Sequence, residues 1–197
     1  MEQSPEWSAR VCTTVARELR RHRKARGMSA QQLADECARL GHPALQRTVI
    51  SNLENGRRRD VSMADVLVLA AALEVAPAAL IFPAGYAAEV EYLPGQTADP
   101  LEAADWFTGS GAAEDSALAL ARRHRELELR IRGVYRRIWE QGIAEQRYGL
   151  ELEDAEAEAG REMARELTVQ LHELREVMAA AGLELPPLAG LDRPTGT

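Results

Sequence analysis

Five hydrogen-bonding side chains fall within seven residues in the stretch QRTVISNLENGRRR, which runs from Gln46 to Arg59: Gln46, Arg47, Thr48, Ser51 and Asn52. Val49, Ile50 and Leu53 lie among them, so a helix here puts its apolar residues on one side and its amides, hydroxyls and guanidinium on the other. Those polar groups match the chemistry of DNA base edges. A guanidinium donates two bonds to guanine, and a carboxamide both donates to and accepts from adenine. Asn55 and Arg57–Arg59 follow at once and suit phosphate oxygens. This chemistry is recognition rather than catalysis. The sequence has no glycine-rich phosphate loop and no nucleophile beside a base. Its four histidines, His22, His42, His124 and His172, are scattered without metal-ligand spacing. No enzyme activity, metal or cofactor is expected.

The elements that must hold this stretch are legible on either side of it. Val11, Val15 and Leu19, flanked by Cys12 and Ala16, form the inward stripe of a first helix over Val11–Arg26, which Gly27 ends. Ser29 and Gln32 form a capping box for a second helix, whose stripe is Leu33, Ala34, Cys37 and Leu40 and which Gly41 stops. The third helix spans about Leu45–Asn55. Ser62 and Asp65 cap a fourth, with Val66, Leu69, Ala70 and Leu73 inside, and Pro77 opens a short fifth that ends near Leu80–Phe82. Helices two and three, joined by a short turn inside a five-helix unit, make a helix-turn-helix, and residues 1–82 are expected to be a DNA-binding domain.

Charge supports that placement. The net charge is −7, but residues 1–85 hold twelve Arg/Lys against nine acids. Residues 86–121 carry seven acids and no base, and residues 122–197 hold twelve bases and fifteen acids. An anionic partner therefore meets the first third of the chain. No apolar run approaches the ~20 residues that span a bilayer, and the first ten residues lack a signal-peptide layout. A cytoplasmic protein with no membrane partner is expected. In that compartment Cys12 and Cys37 are expected to be reduced and buried.

Beyond the first unit the pattern changes. Residues 83–113, rich in Gly, Pro and acids, read as an ordered but irregular connector, with EVEYL as a brief strand and DPLEAADWF as a helical turn pinned by Trp106 and Phe107. Residues 114–182 are helical again. Leu120, Leu127, Ile131, Val134 and Ile138 fall on three- and four-residue steps, as do Leu167, Leu171, Leu174 and Met178. These stripes predict a long-helix hairpin or coiled coil, cornered near Gly149, and are the candidate dimerisation element. His124 in the seam reads as a satisfied core histidine. Trp106, Phe107, Tyr135 and Trp139 are read as core aromatics before ligand-pocket walls. Residues 183–197 are expected to be a flexible tail.

The stretches LRRHRKARGMSAQQLA, ISNLENGRRR and SMADVLVLAAALEVAPAALI together resemble the phage-repressor (Cro-like) helix-turn-helix family of transcriptional regulators, also called the xenobiotic-response-element (XRE) family, across about residues 11–82. The resemblance implies that Arg23 pairs with Glu54 to brace helix one against helix three. It also implies that Arg47, Thr48, Ser51 and Asn52 contact bases, with Gln46 at their edge, and that the segment from Asn55 through the arginines meets phosphate. Two features depart from the pattern. Ala30 stands where the family usually has a phosphate-touching glutamine, which leaves Gln31, with Gln32 beside it, as the candidate for that phosphate contact. The interval from Leu33 to Ile50 is about six residues longer than usual, so helix two is expected to be a turn longer. The fold class expected is all-α. The function expected is a sequence-specific regulator of transcription that binds double-stranded DNA as a homodimer, of the bacterial type. An adaptor or antitoxin-like protein whose C-terminal helices bind another protein is the alternative.

Overall fold

The computed structural model describes residues 6–111, 113–148 and 154–188. The chain is mainly helical and divides into two units, 1–108 and 109–197. In the first, α1 (Trp7–Ala25), α2 (Ala30–Arg39), α3 (Arg47–Glu54), α4 (Met63–Ala72) and α5 (Pro77–Ile81) surround one core. Leu19, Leu33, Ile50, Leu53, Leu69 and Leu80 are fully buried there. Each contributes about 1.5–3 kcal/mol of burial, which is why the inward stripes, rather than helix propensity, fix these short helices. Ser29 and Ser62 each accept a bond from the N3 backbone amide, and the side-chain oxygens of Gln32 and Asp65 accept one from the cap residue's own backbone N–H.

The helix ends share one device. After α1, α2 and α3 a glycine sits in the left-handed region and lets the next amide reach back to the last turn, as His42 N does to Cys37 O at 2.9 Å. After α4 the same position is Glu74, at φ 52°, where an L side chain strains the backbone. Its ion pair with Arg26 at 2.9 Å is largely exposed and offsets little. Glu74→Gly is therefore expected to raise stability by about 1 kcal/mol, read as a higher denaturant midpoint. A lower midpoint would show that the pair outweighs the strain.

Residues 83–108 are more regular than expected. Val90–Leu93 (β1) pairs antiparallel with Gln96–Ala98 (β2), and the segment read as a helical turn is a helix of nine residues, Pro100–Thr108 (α6). Asp99 Oδ1 accepts from Leu101 N at 2.8 Å, and no glycine interrupts the helix before Gly109, at φ 77°. Phe82, Val90 and Ala103 form a small core beneath them.

The second unit is a hairpin of two long helices, α7 (Ala117–Tyr148) and α8 (Asp154–Ala180). His124 meets Arg175, and Ile138 lies close to Gly160, where a β-carbon would stand 3.3 Å from it, so the helices run antiparallel. Leu120, Leu127, Ile131, Val134, Leu167, Leu171, Leu174 and Met178 are all buried between them, with Ile138 partly so. The candidate dimerisation set is thus occupied within one chain, because two heptad stripes on adjacent helices satisfy each other first. His124 Nε2 lies 2.9 Å from Arg175 Nη1; since a guanidinium only donates, the imidazole accepts. Burial, helped by the Arg175 charge and opposed by Glu128, lowers its pKa and keeps it neutral. Leu183 and Leu185 pack on the hairpin and Leu188 is buried, so the start of the expected tail is held by apolar contacts. The proposed corner at Gly149, like residues 189–197, lies outside the described residues.

Candidate nucleic-acid interface

Helix α3 divides as its sequence requires. Ile50 and Leu53 are fully buried, while Gln46, Arg47, Thr48 and Asn52 are exposed and Ser51 is half-buried. Gln46 is the N-cap, with extended backbone at ψ 161°, so the helix begins at Arg47, two residues later than expected. Leu45 is instead a buried anchor of the preceding loop, 1% exposed. The added length before α3 appears as residues 40–46, which link α2 to α3 where a short turn was expected. Between the two helices lies an open groove of about 410 Å³, lined by Gln31, Asp35, Pro43, Gln46, Arg47 and Thr48 among others. Gln31 donates to Asp35 Oδ1 at 2.8 Å across one turn of α2.

What holds α3 at this angle is a set of buried charges. Arg23 donates from Nε and Nη2 to the two carboxylate oxygens of Glu54, both at 2.6 Å, and from Nη1 to Met28 O at 2.6 Å. The side chains are only 13% and 7% exposed. One guanidinium thus ties the end of α1, the turn before α2 and the last residue of α3. Most other cations at the end of α1 are also engaged within the fold. Arg17 and Arg21 pair with the fully buried Glu18, and Arg21 lies over the Tyr86 ring at 3.9 Å. The charge near α3 is left to Arg47, Arg57 and Arg59, all exposed. Asn55, the C-cap residue of α3, is exposed beside them.

Residues 14–81 match the family model for a helix-turn-helix domain. No curated protein and no solved structure matches the chain. A helix-turn-helix domain points to a DNA-binding regulatory role rather than an enzymatic one, and no described helix is long and apolar enough to cross a membrane.

One part of the helix-turn-helix domain could not be read from local sequence. Arg58, grouped at first with the phosphate-binding arginines, donates from Nη2 to Asp65 Oδ2 at 3.1 Å and from Nε to Asp60 at 3.3 Å. Asp65 Oδ1 also lies 3.1 Å from His42 Nε2, and Cys12 Sγ lies 3.6 Å from Arg58 O. Asp65 therefore fastens the turn after α2 and the segment after α3 to the start of α4. Arg58 thus acts as a strut within the fold, whereas Arg57 and Arg59 are exposed. Nothing in the local pattern signals this, because His42 and Asp65 stand twenty-three residues apart. The two thiols are free and buried. Burial, with Glu36 and Asp65 nearby, pushes Cys37 up to about 11, which keeps it protonated and unreactive at neutral pH.

The Asp65 cluster predicts a pH response. Burial opposes ionisation of this carboxylate, but the His42 bond, the Ser62 backbone and hydroxyl, and the Arg58 charge outweigh it and lower its pKa. A carboxylate with a depressed pKa stabilises the fold in full above its unfolded value near 3.9, and that stability is lost as the pH falls through the folded value. Denaturant unfolding of the wild type should weaken steadily below about pH 4. Asp65→Asn is expected to cost about 1–3 kcal/mol at pH 7 and to flatten the decline in acid. A mutant whose acid limb matches that of the wild type would rule this out.

Proposed function

We propose that the protein is a sequence-specific regulator of transcription that binds double-stranded DNA as a homodimer, with α3 in the major groove. The single observation that supports this best is the division of α3. Its apolar side is spent in the core, while Gln46, Arg47, Thr48 and Asn52 stay exposed and are followed by Arg57 and Arg59. The exposed side chains can donate and accept at base edges, and the arginines neutralise phosphate. One module alone buries little surface, so two copies read half-sites about one helical turn, ~34 Å, or a multiple of it apart. With the heptad stripes occupied inside the hairpin, the second copy meets its outer face. There Leu129, Met163, Val169 and Val177 are at least half exposed, and Leu129 and Met163 line one groove with Arg130 and Arg137.

Selection of bound fragments from random DNA tests the reading. Recovered fragments should share paired half-sites at a fixed spacing, and Leu129→Glu should convert a dimer to a monomer with weakened operator binding. Recovery of no shared sequence in dilute salt would refute it. The same exposed apolar face favours one other reading, a hairpin that binds a different protein. A chain that is monomeric at all concentrations would favour that reading.

A further inference from the structure

A cavity in the first unit takes no part in the exposed side of α3. It holds about 300 Å³, at the small end of ligand sites. Residues from α1, the start of α4, β1 and α6 line it. Five aromatic side chains are among its walls, Trp7 and two pairs that meet each other. Tyr92 and Trp106 meet edge to face with centroids 5.1 Å apart, and Phe82 and Phe107 stand 5.5 Å apart at a tilt. Trp106 and Phe107 nevertheless remain 52% and 44% exposed. Rings in this arrangement favour a flat partner that can stack on one and meet another edge on.

The polar groups at the cavity define the charge and bonding of what it holds. Arg10 and Glu91 both line it, but they grip each other through two bonds of 2.6 and 2.7 Å. That pairing, with a further bond from Gly95 N, lowers the Glu91 pKa to about 2. Charges already matched within the chain call for no ionic ligand. Trp7 is different. It lines the cavity, and its indole N–H is buried with no acceptor among the described residues. A buried donor left unmet destabilises the fold, and a ligand that brings an acceptor removes that cost. We propose that this cavity binds a neutral, flat aromatic molecule of one or two rings that carries a hydrogen-bond acceptor for the Trp7 indole N–H. The site does not depend on α3 reading DNA.

Quinoline and naphthalene test this, since they share a shape and differ by one acceptor nitrogen. The chain has three tryptophans, so isotope-labelled full-length protein gives three indole N–H signals by NMR, each assigned by its Trp→Phe variant. Quinoline should shift the Trp7 signal downfield in a saturable way, move Trp106 with it and leave Trp139, in α7, unchanged. It should bind about tenfold tighter than naphthalene. Trp7→Phe should erase that preference, read from the Trp106 signal. Thr14→Phe, which fills the cavity, should weaken quinoline binding about tenfold or more. Met63→Glu should do the same; its site is 54% exposed, and an acid is favoured at a helix start, so this variant folds even if the first does not. The proposal is overturned by no saturable shift with either probe, by equal affinity for both, or by unchanged quinoline binding in folded Met63→Glu. Dimerisation that Met63→Glu abolishes and quinoline leaves intact also overturns it, because a second copy would then be the occupant.

Discussion

Arg23→Ala is expected to cost about 3–5 kcal/mol of stability, a large share of what a domain of this size possesses. The size of the effect follows from what is left behind. Glu54 would keep a carboxylate only 7% exposed with its two-pronged partner gone, and Met28 O would lose its donor. Arg23→Lys should recover little, since a point charge cannot serve two carboxylate oxygens and a carbonyl at once. The double variant Arg23→Met with Glu54→Leu should recover most of the loss, because it removes both charges instead of stranding one. Urea unfolding of the four proteins checks this. A single-variant loss below about 1 kcal/mol, the range of exposed pairs, would mean the pair is not buried in solution.

The fold of residues 14–81 could be read from the sequence because its signals are local. Serine caps with Gln32 or Asp65 three residues on, glycines after three of the helices, and apolar stripes at helical spacing each need only a few neighbouring residues. The hairpin was legible for the same reason, since Leu127, Ile131 and Val134 mark a face without reference to any other part of the chain. What that face meets was not legible. A stripe that closes an intramolecular hairpin has the same spacing as one that joins two subunits.

Other features escaped because they depend on residues distant in the chain. EVEYL marked β1, but the three residues of β2 are too few for alternation to stand out, so the strand that β1 pairs with was not legible. Asp65 read as half of a capping box, which it is, yet it also receives His42 and Arg58. That second duty moves Arg58 from the phosphate group to the struts. The cavity beside Trp7 draws its walls from residues 7 to 107, so no window of sequence contains it. On α3 the polar residues were identified from their types alone. Only the packing showed that Ser51 is half-buried while Arg47 and Asn52 are open.

That difference sharpens the prediction for DNA. Arg47 is exposed at the first turn of α3, beside the groove formed with α2, where a guanidinium can meet a guanine edge. Arg47→Ala should cost about 1–3 kcal/mol on the selected operator and much less on random DNA, so the ratio of the two affinities falls. Arg57→Ala should act differently. It removes one exposed cation beyond the helix, weakening operator and random DNA alike and reducing the slope of log affinity against log salt by about one. Arg58→Ala does not serve as the phosphate probe, because it breaks the Asp65 cluster and should lower the melting temperature before it alters binding. Titrations of operator and random duplexes at several salt concentrations separate the three. Equal losses on both duplexes for Arg47→Ala would remove it from base reading, and the remaining candidates at the start of α3 would be Gln46 and Thr48. An unchanged salt slope for both Arg57→Ala and Arg59→Ala would mean that the cationic run after α3 does not face the duplex. Binding would then have to proceed through another surface of the domain.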